Sequence, residues 1–151
     1  MKGKAGRYER IYKQLQELME TSNKPLARMS SICAVLHHKM DSFFWTGFYL
    51  LNHGQLSVGP YQGPLACMEL QKGKGVCWAG VERAEPVIVP DVNEFPGHIA
   101  CDSRSKSEIV IPVFDDKEMT IGVLDVDSSQ LNAFDETDAE WLTKIIGLIY
   151  E

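Results

Sequence analysis

The chain has 151 residues and a mass of 17.0 kDa, the usual size of one domain. Hydrophobic residues make up 44% and charged residues 24%, which is typical of a globular protein and excludes disordered or fibrous chains. Residues 1–40 carry eight Lys or Arg and three Glu, a net charge of +5. Residues 41–151 carry seven Lys or Arg and eighteen Asp or Glu, a net charge of −11. The acidic main body disfavours nucleic acid as a partner and favours small neutral or cationic ligands.

Membrane and export signals are not found in the sequence. The longest nearly continuous apolar run, residues 43–51, has nine residues and is far too short to span a bilayer. The positive N-terminus leads into Tyr8-Glu9-Arg10 instead of the apolar segment of a signal peptide. We therefore predict a cytoplasmic protein without a membrane partner, whose cysteines are reduced thiols, metal ligands or redox catalysts.

Helical periodicity comes first along the chain. Apolar residues recur at helical spacing over residues 8–19, and Pro25 opens a second such pattern that runs to residue 36. A short helix is predicted at residues 76–83. The last helix is predicted to follow Asp135 as its N-cap. Its apolar stripe comprises Ala139, Leu142, Ile145, Ile146 and Ile149.

Between these helices, β-branched and aromatic runs alternate with turn residues. Strands are predicted at residues 43–51, 55–61, 66–70, 86–89, 109–114 and 120–126, and the turn at residues 52–54 predicts a hairpin. Residues 90–106 are irregular and predict a functional loop. Helices flanking short strands indicate an α+β fold, a mostly antiparallel sheet with terminal helices packed on it. We expect one domain over residues 1–151, with residues 1–40 helical and the sheet, loops and last helix in residues 41–151.

The four cysteines differ in their context. Cys33 lies on the apolar stripe of the second helix and is predicted to be a core residue. The other three, Cys67, Cys77 and Cys101, occur in Gly- and Pro-rich segments that predict loops or strand edges. They allow three interpretations: inert core thiols, a zinc site completed by His98, or thiol redox chemistry. Spacing disfavours zinc, because nine residues separate Cys67 from Cys77.

Redox catalysis requires an accessible thiolate and a second cysteine within disulfide reach. If the electrophile is a sulfoxide, its oxygen must be protonated by a nearby acid that keeps its proton near neutral pH. Glu108, Asp125 and Asp127 lie in or beside apolar strands, where burial and crowding would raise their pKa values. Periodicity does not show that these acids converge, and capping of strand ends is the alternative role for each.

Six segments resemble the free methionine-R-sulfoxide reductases, which are single-domain GAF proteins. The segments are residues 45–49, 59–67, 73–77, 95–102, 105–109 and 122–127. The resemblance runs from about Trp45 to the C-terminal helix and implies a GAF fold and the reduction of free methionine R-sulfoxide to methionine. One departure is Trp78, which stands where the family usually has Gly.

Roles for individual residues follow from the resemblance alone. Cys101 matches the attacking cysteine and Cys67 its recycling partner, with a sulfenic acid and then a disulfide as intermediates. Cys77 matches a third cysteine whose role stays open. The aromatic pair Trp45 and Tyr49 matches a substrate-pocket wall, for which core packing is the alternative. The acids Glu108, Asp125 and Asp127 match carboxylates that hold the substrate ammonium and supply the proton.

The resemblance also implies certain partners. It implies no metal or bound cofactor, an external dithiol reductant such as thioredoxin, and a homodimer. A function of a different class remains open, because GAF domains also serve as non-catalytic sensors of small ligands or redox state. The three cysteines beside acids favour the enzyme, since a binding module does not require them.

Overall fold

The computed structural model describes residues 3–98 and 101–151. Its helices are α1 (Gly3–Met19), α2 (Pro25–Lys39), α3 (Gly75–Arg83) and α4 (Glu136–Ile146). Its strands are β1 (Trp45–Asn52), β2 (Gln55–Gln62), β3 (Glu69–Leu70), β4 (Val87–Val89), β5 (Ser107–Phe114) and β6 (Thr120–Ser128). A single 3₁₀ turn over Val92–Glu94 interrupts the predicted functional loop, of which residues 99 and 100 lie outside the described part. None of the described helices combines the length and apolar character that a membrane crossing requires.

The terminal helices form as their local sequence dictates. Pro25 occupies the first turn of α2, where its missing N–H is not needed. Asp135 caps α4 by accepting hydrogen bonds from the backbone N–H groups of Thr137 and Asp138, and the Asp138 side chain completes a capping box. The buried Tyr8 hydroxyl of α1 donates to the same Asp138 carboxylate at 2.5 Å. This bond ties the first helix to the last.

The six strands form one sheet in the order β3-β2-β1-β6-β5-β4, and every adjacent pair is antiparallel. The predicted hairpin joins β1 to β2, with His53 (φ 54°) and Gly54 (φ 76°) both in the left-handed region that a two-residue turn of this kind requires. The prediction of an α+β fold with a mostly antiparallel sheet is therefore confirmed.

The two faces of the sheet are covered differently. Helices α1, α2 and α4 cover one face, which we call the three-helix face, and bury its apolar side chains. These sheet residues are Phe48, Ile109, Ile111, Val113, Leu124 and Val126. Only the short helix α3 packs on the opposite face, against β4, β5 and β6. That face, which we call the pocket face, leaves part of its surface open to a pocket.

The predicted strand at residues 66–70 is wrong for most of its length, because only Glu69–Leu70 is a strand. Pairing with β2 begins at Met68, whose carbonyl accepts a hydrogen bond from Val58 N–H. The Cys67 carbonyl is engaged instead by the Tyr49 hydroxyl at 2.9 Å. A side chain thus occupies the acceptor that a strand would use for its neighbour.

Two further predictions require correction. Ile149 was expected on α4, but this helix ends at Ile146, and Ile149 is buried in the turns that follow. The Gly-rich context of Cys77 predicted a loop or strand edge, whereas the helix predicted at residues 76–83 includes it; Cys77 lies in the first turn of α3 and is buried. The turn before α3 contains Gly73 (φ 76°) and Gly75 (φ 86°), both in the left-handed region that favours glycine. The helix begins at Gly75, two residues before Cys77.

Candidate active site

Strand register brings the three predicted acids together. In the pairing of β5 with β6, Glu108 lies directly opposite Asp127, and Val110 lies opposite Asp125. Side chains alternate along a strand, so Glu108, Asp125 and Asp127 all project from the pocket face. They also line the same pocket. These acids do not cap strand ends, because each of them lies within a strand.

Burial makes these carboxyls weak acids. Desolvation, followed by repulsion from Asp125 and Asp127, raises the pKa of Glu108 well above its ordinary value. Desolvation likewise raises the pKa of Asp127 well above its ordinary value and raises that of Asp125. The three carboxyls crowd one another, and Asp125 Oδ1 is buried without a hydrogen-bond partner among the described residues. Burial and mutual repulsion therefore favour the protonated forms of the cluster.

Cys77 approaches the cluster from α3. Ligand atoms of Cys77, Glu108 and Asp125 lie within 4.8 Å of one another, so the thiol lies beside the Asp125 carboxyl. Desolvation and the negative carboxylates raise the pKa of Cys77 well above its ordinary value. This thiol therefore stays protonated and is a poor nucleophile. Trp78, at the family's usual glycine position, is buried and donates its indole N–H to the Leu70 carbonyl at 3.3 Å.

Cys67 and Cys101 form a disulfide with Cα atoms 5.5 Å apart. The bond links the segment before β3 to the loop before β5, across a sequence separation of 34 residues. Cys101 is solvent-exposed and lines the pocket, whereas Cys67 is half-buried. The four-residue zinc set considered from sequence does not form, because two of its sulfurs are bonded to each other. Cys33 is a core residue as predicted, and burial raises its pKa to about 12.

Aromatic rings form one wall of the pocket. Trp45 and Tyr49 stack with centroids 5.7 Å apart, and Trp45 also stacks on Tyr61 at 5.2 Å. The Trp45 indole N–H donates to the Pro64 carbonyl at 3.0 Å, which fixes the ring orientation. Gly47 lies between Trp45 and Tyr49 on the same face, and its lack of a side chain leaves room for the indole. Trp45 and Tyr49 are both buried and both line the pocket, so each serves in core packing and in the pocket wall.

His98 is the pocket residue that sequence analysis considered only as a zinc ligand. Its Nδ1 lies 3.9 Å from Glu108 Oε1, and burial lowers its pKa. Other lining residues not selected from the sequence are Phe44, Leu65, Ala66, Leu70, Gln71, Lys74, Gly75, Val76, Asp102 and Ser105. Most of them lie in the six segments that carry the resemblance, so those segments were the available signal.

An antiparallel sheet covered on one face by terminal helices, with a ligand-sized pocket under a short helix on the other, defines a GAF domain. The GAF domain family model matches residues 27–149. The chain belongs to the GAF domain family and, within it, to the group whose members are named free methionine-R-sulfoxide reductases. The resemblance found in the sequence is thereby confirmed.

Individual relatives support this placement. The chain is 45% identical to GAF domain-containing protein A of Dictyostelium discoideum, over 97% of this chain and 92% of that protein. It is 46% identical to the free methionine-R-sulfoxide reductase of Saccharomyces cerevisiae, over 82% and 73%. The free methionine-R-sulfoxide reductase of Neisseria meningitidis, in an X-ray structure with its substrate, superposes with a TM-score of 0.92 at 39% identity. That superposition covers 99% of this chain and 89% of that one.

Proposed function

We propose that this protein reduces free methionine R-sulfoxide to methionine. The relatives named for that reaction support the proposal, and so does the fit of the pocket to its chemistry. One observation carries it: Cys101 and three proton-holding carboxyls line the same pocket. A sulfoxide is a poor electrophile until its oxygen is protonated, and this pocket offers both the nucleophile and the acid.

The first step joins Cys101 to the sulfoxide. In the reduced protein the Cys101 thiolate attacks the sulfoxide sulfur while a protonated carboxyl, Glu108 or Asp127, gives its proton to the oxygen. The attack forms a bond between Cys101 Sγ and the substrate sulfur. The hydroxyl then passes from the substrate sulfur to Cys101, so the sulfur–oxygen bond and the new sulfur–sulfur bond both break. Cys101 is left as a sulfenic acid and methionine leaves. Two electrons move from the cysteine to the substrate. Their raised pKa values let Glu108 and Asp127 hold the required proton near neutral pH.

The second step restores the sulfur. Cys67 attacks the Cys101 sulfenic acid, water leaves, and the disulfide forms. The Cα separation of 5.5 Å suits this bond without a backbone shift. An external dithiol such as thioredoxin then reduces the disulfide, so the cycle needs no bound cofactor or metal. We assign Cys77 no electron-transfer step, because its buried thiol stays protonated, and propose that it helps to position Asp125 by lying beside that carboxyl.

Selectivity for the free amino acid follows from charge and shape. The substrate ammonium supplies the positive charge that buried carboxyls require in order to ionise. Asp125 is proposed to pair with the ammonium, together with whichever of Glu108 and Asp127 is not the proton donor. A methionine sulfoxide inside a peptide lacks this ammonium. The Trp45 and Tyr49 rings are proposed to hold the sulfur-bearing end of the side chain, since thioethers pack well on aromatic edges.

The test is a coupled assay with thioredoxin, its reductase and NADPH. We expect NADPH oxidation with free methionine R-sulfoxide and none above background with the S isomer or with the R-sulfoxide in an N-acetylated, amidated form. No NADPH oxidation above the S-isomer control by the correctly folded protein would favour the sensor function instead. Binding of the R isomer without turnover would identify a sensor directly.

A further inference from the structure

The most exposed large apolar side chains of the described residues lie beside the redox disulfide. Leu65 is 80% exposed and Met68 is 76% exposed, and the two flank Cys67 in the chain. Single exposed apolar residues are common on protein surfaces, but a pair that brackets a reactive bond is a feature of binding surfaces. We call these two side chains the Leu65–Met68 patch.

The two sulfurs of the disulfide differ in position. Cys101 is solvent-exposed and lines the pocket together with Glu108 and Asp127, whereas Cys67 is half-buried and is not among the described residues that line the pocket. Cys67 belongs to the segment that carries the patch, and the Tyr49 hydroxyl holds its carbonyl at 2.9 Å. A protein bound on the patch therefore lies beside Cys67, and attack on Cys67 releases Cys101 at the pocket.

Charge does not dominate recognition at this edge of the pocket. The nearest acidic residue after Cys101, Asp102, is paired with Arg104 through two charged hydrogen bonds of 2.9 and 2.6 Å. This pair leaves the loop beside the disulfide with little net charge. An apolar patch then becomes the main contact, and methionine adapts readily to the shape of a partner.

We propose that the Leu65–Met68 patch is the docking surface for the dithiol protein that reduces the Cys67–Cys101 bond, an inference that rests on the proposed function. The partner's thiolate attacks Cys67 Sγ, a mixed disulfide forms, and Cys101 leaves as the thiolate inside the pocket. The partner's second thiol then attacks the mixed disulfide and releases Cys67. Two electrons pass from the dithiol, and the nucleophile is regenerated where the next substrate binds.

The test compares a protein reductant with a small one. Met68→Gln should lower kcat/KM for thioredoxin about fivefold, a typical loss for one interface side chain. It should leave turnover with dithiothreitol unchanged, because Met68 does not line the pocket and a small thiol needs no docking surface. The matched control is Met119→Gln, since Met119 is 63% exposed but lies at the opposite end of β6 from Asp127. This control should change neither rate.

Leu65 also borders the pocket, so Leu65→Gln is judged by the ratio of its thioredoxin rate to its dithiothreitol rate. We expect that ratio to fall about fivefold and the double variant with Met68→Gln to fall further. Equal losses with both reductants, or no loss with thioredoxin, would overturn the docking surface. Absence of turnover with either reductant in the unmodified protein would instead reject the proposed function, so the two failures are distinguishable.

The attacked sulfur can be identified by trapping. A thioredoxin lacking its second cysteine is mixed with the oxidised protein, the reaction is quenched with N-ethylmaleimide, and the peptides are analysed by mass spectrometry. We expect thioredoxin linked to the Cys67 peptide and the maleimide on Cys101. The reverse pattern would overturn the assignment of Cys67 as the attacked sulfur.

Discussion

The two faces of the central sheet carry opposite chemistry on the same strands. On the three-helix face, Leu124 and Val126 of β6 pack with Ile109 of β5 and are completely buried by α1, α2 and α4. On the pocket face, the alternating residues Asp125 and Asp127 form an acid cluster with Glu108, set beside a second apolar cluster that includes Val110 and Val123. One-residue alternation thus separates hydrocarbon from carboxyl groups across the thickness of a single sheet.

This difference shows how the molecule divides stability from chemistry. Apolar burial on both faces stabilises the fold, and the larger apolar cluster lies on the three-helix face. The pocket face places three ionisable groups in a low-dielectric environment, an arrangement that opposes folding but keeps protons on carboxyls at neutral pH. The single nine-residue helix α3 covers that face incompletely and leaves the pocket. Substitutions on the two faces should therefore have separable effects.

The largest expected effect on the pocket face comes from its nucleophile. Cys101→Ser should lower multiple-turnover reduction by at least about 10³-fold, because the Cys77 thiol stays protonated and Cys67 is not among the described residues that line the pocket. Cys67→Ser should still release one equivalent of methionine per enzyme. Both variants lose the same disulfide, so each controls for the stability of the other. Methionine release by chromatography measures both; repeated thioredoxin-dependent turnover in Cys101→Ser would contradict the assignment.

Removing one proton donor should have the next largest effect. Glu108→Gln should lower kcat about 10²-fold, the usual contribution of a general acid. In the unmodified protein the rate should fall as pH rises through the raised pKa of the cluster, because the acid is then deprotonated. Comparison of Glu108→Gln with Asp127→Asn identifies the proton donor, because the variant that lacks the donor should no longer show the fall in kcat at alkaline pH. Unchanged pH profiles in both variants would exclude these carboxyls as the acid.

Glu108→Gln should also make the free energy of unfolding less dependent on pH. A carboxyl whose folded pKa is raised binds more protons in the folded state, so stability falls as pH rises from about 4 through that pKa. Glu108→Gln cannot lose this proton, and its free energy of unfolding should decline less between pH 4 and 8. Urea denaturation at several pH values measures the slope. A slope equal to that of the unmodified protein would show that folding does not raise the pKa of Glu108.

Two adjacent residues provide the sharpest contrast between the faces. Leu124→Ala should lower the free energy of unfolding by about 3 kcal/mol and leave kcat/KM within about twofold. Asp125→Asn should raise KM about 30-fold, the loss of one charged hydrogen bond to the substrate ammonium, with no loss of stability. Thermal unfolding and steady-state kinetics on both variants measure the contrast. Similar effects of the two substitutions on the free energy of unfolding or on KM would contradict the division between the two faces.

A smaller effect is expected from crowding the aromatic wall. A Cβ at Gly47 would lie 2.6 Å from Trp45 Cη2 and 2.4 Å from Tyr61 Cβ. Gly47→Ala should therefore displace the indole and raise KM about fivefold, with a destabilisation of about 1–3 kcal/mol. Gly59→Ala is the matched control, because its Cβ would meet Leu50 at 3.1 Å, away from the pocket. Tryptophan fluorescence and KM report the outcome, and a KM change as large in the control would refute the explanation.

Local pattern predicted the elements well where neighbours along the chain decide the structure. Helical spacing predicted α1 and α2, and Asp135 was predicted as the cap of α4. The predicted strand at residues 66–70 failed because the Tyr49 side chain engages the Cys67 carbonyl, a contact between residues far apart in sequence. The burial of Cys77 was missed because the preceding glycines resemble a loop while α3 begins among them.

The sequence by itself determined the helices, most of the strands, the family, and which acids and thiols are available for chemistry. The reason is that periodicity, caps and motif spacing are local properties of the chain. Only the tertiary structure decided that Glu108 lies opposite Asp127, that Asp125 shares their face, and that these acids meet the thiol of α3. Those relations depend on strand register and helix docking between distant segments, and no local pattern encodes them.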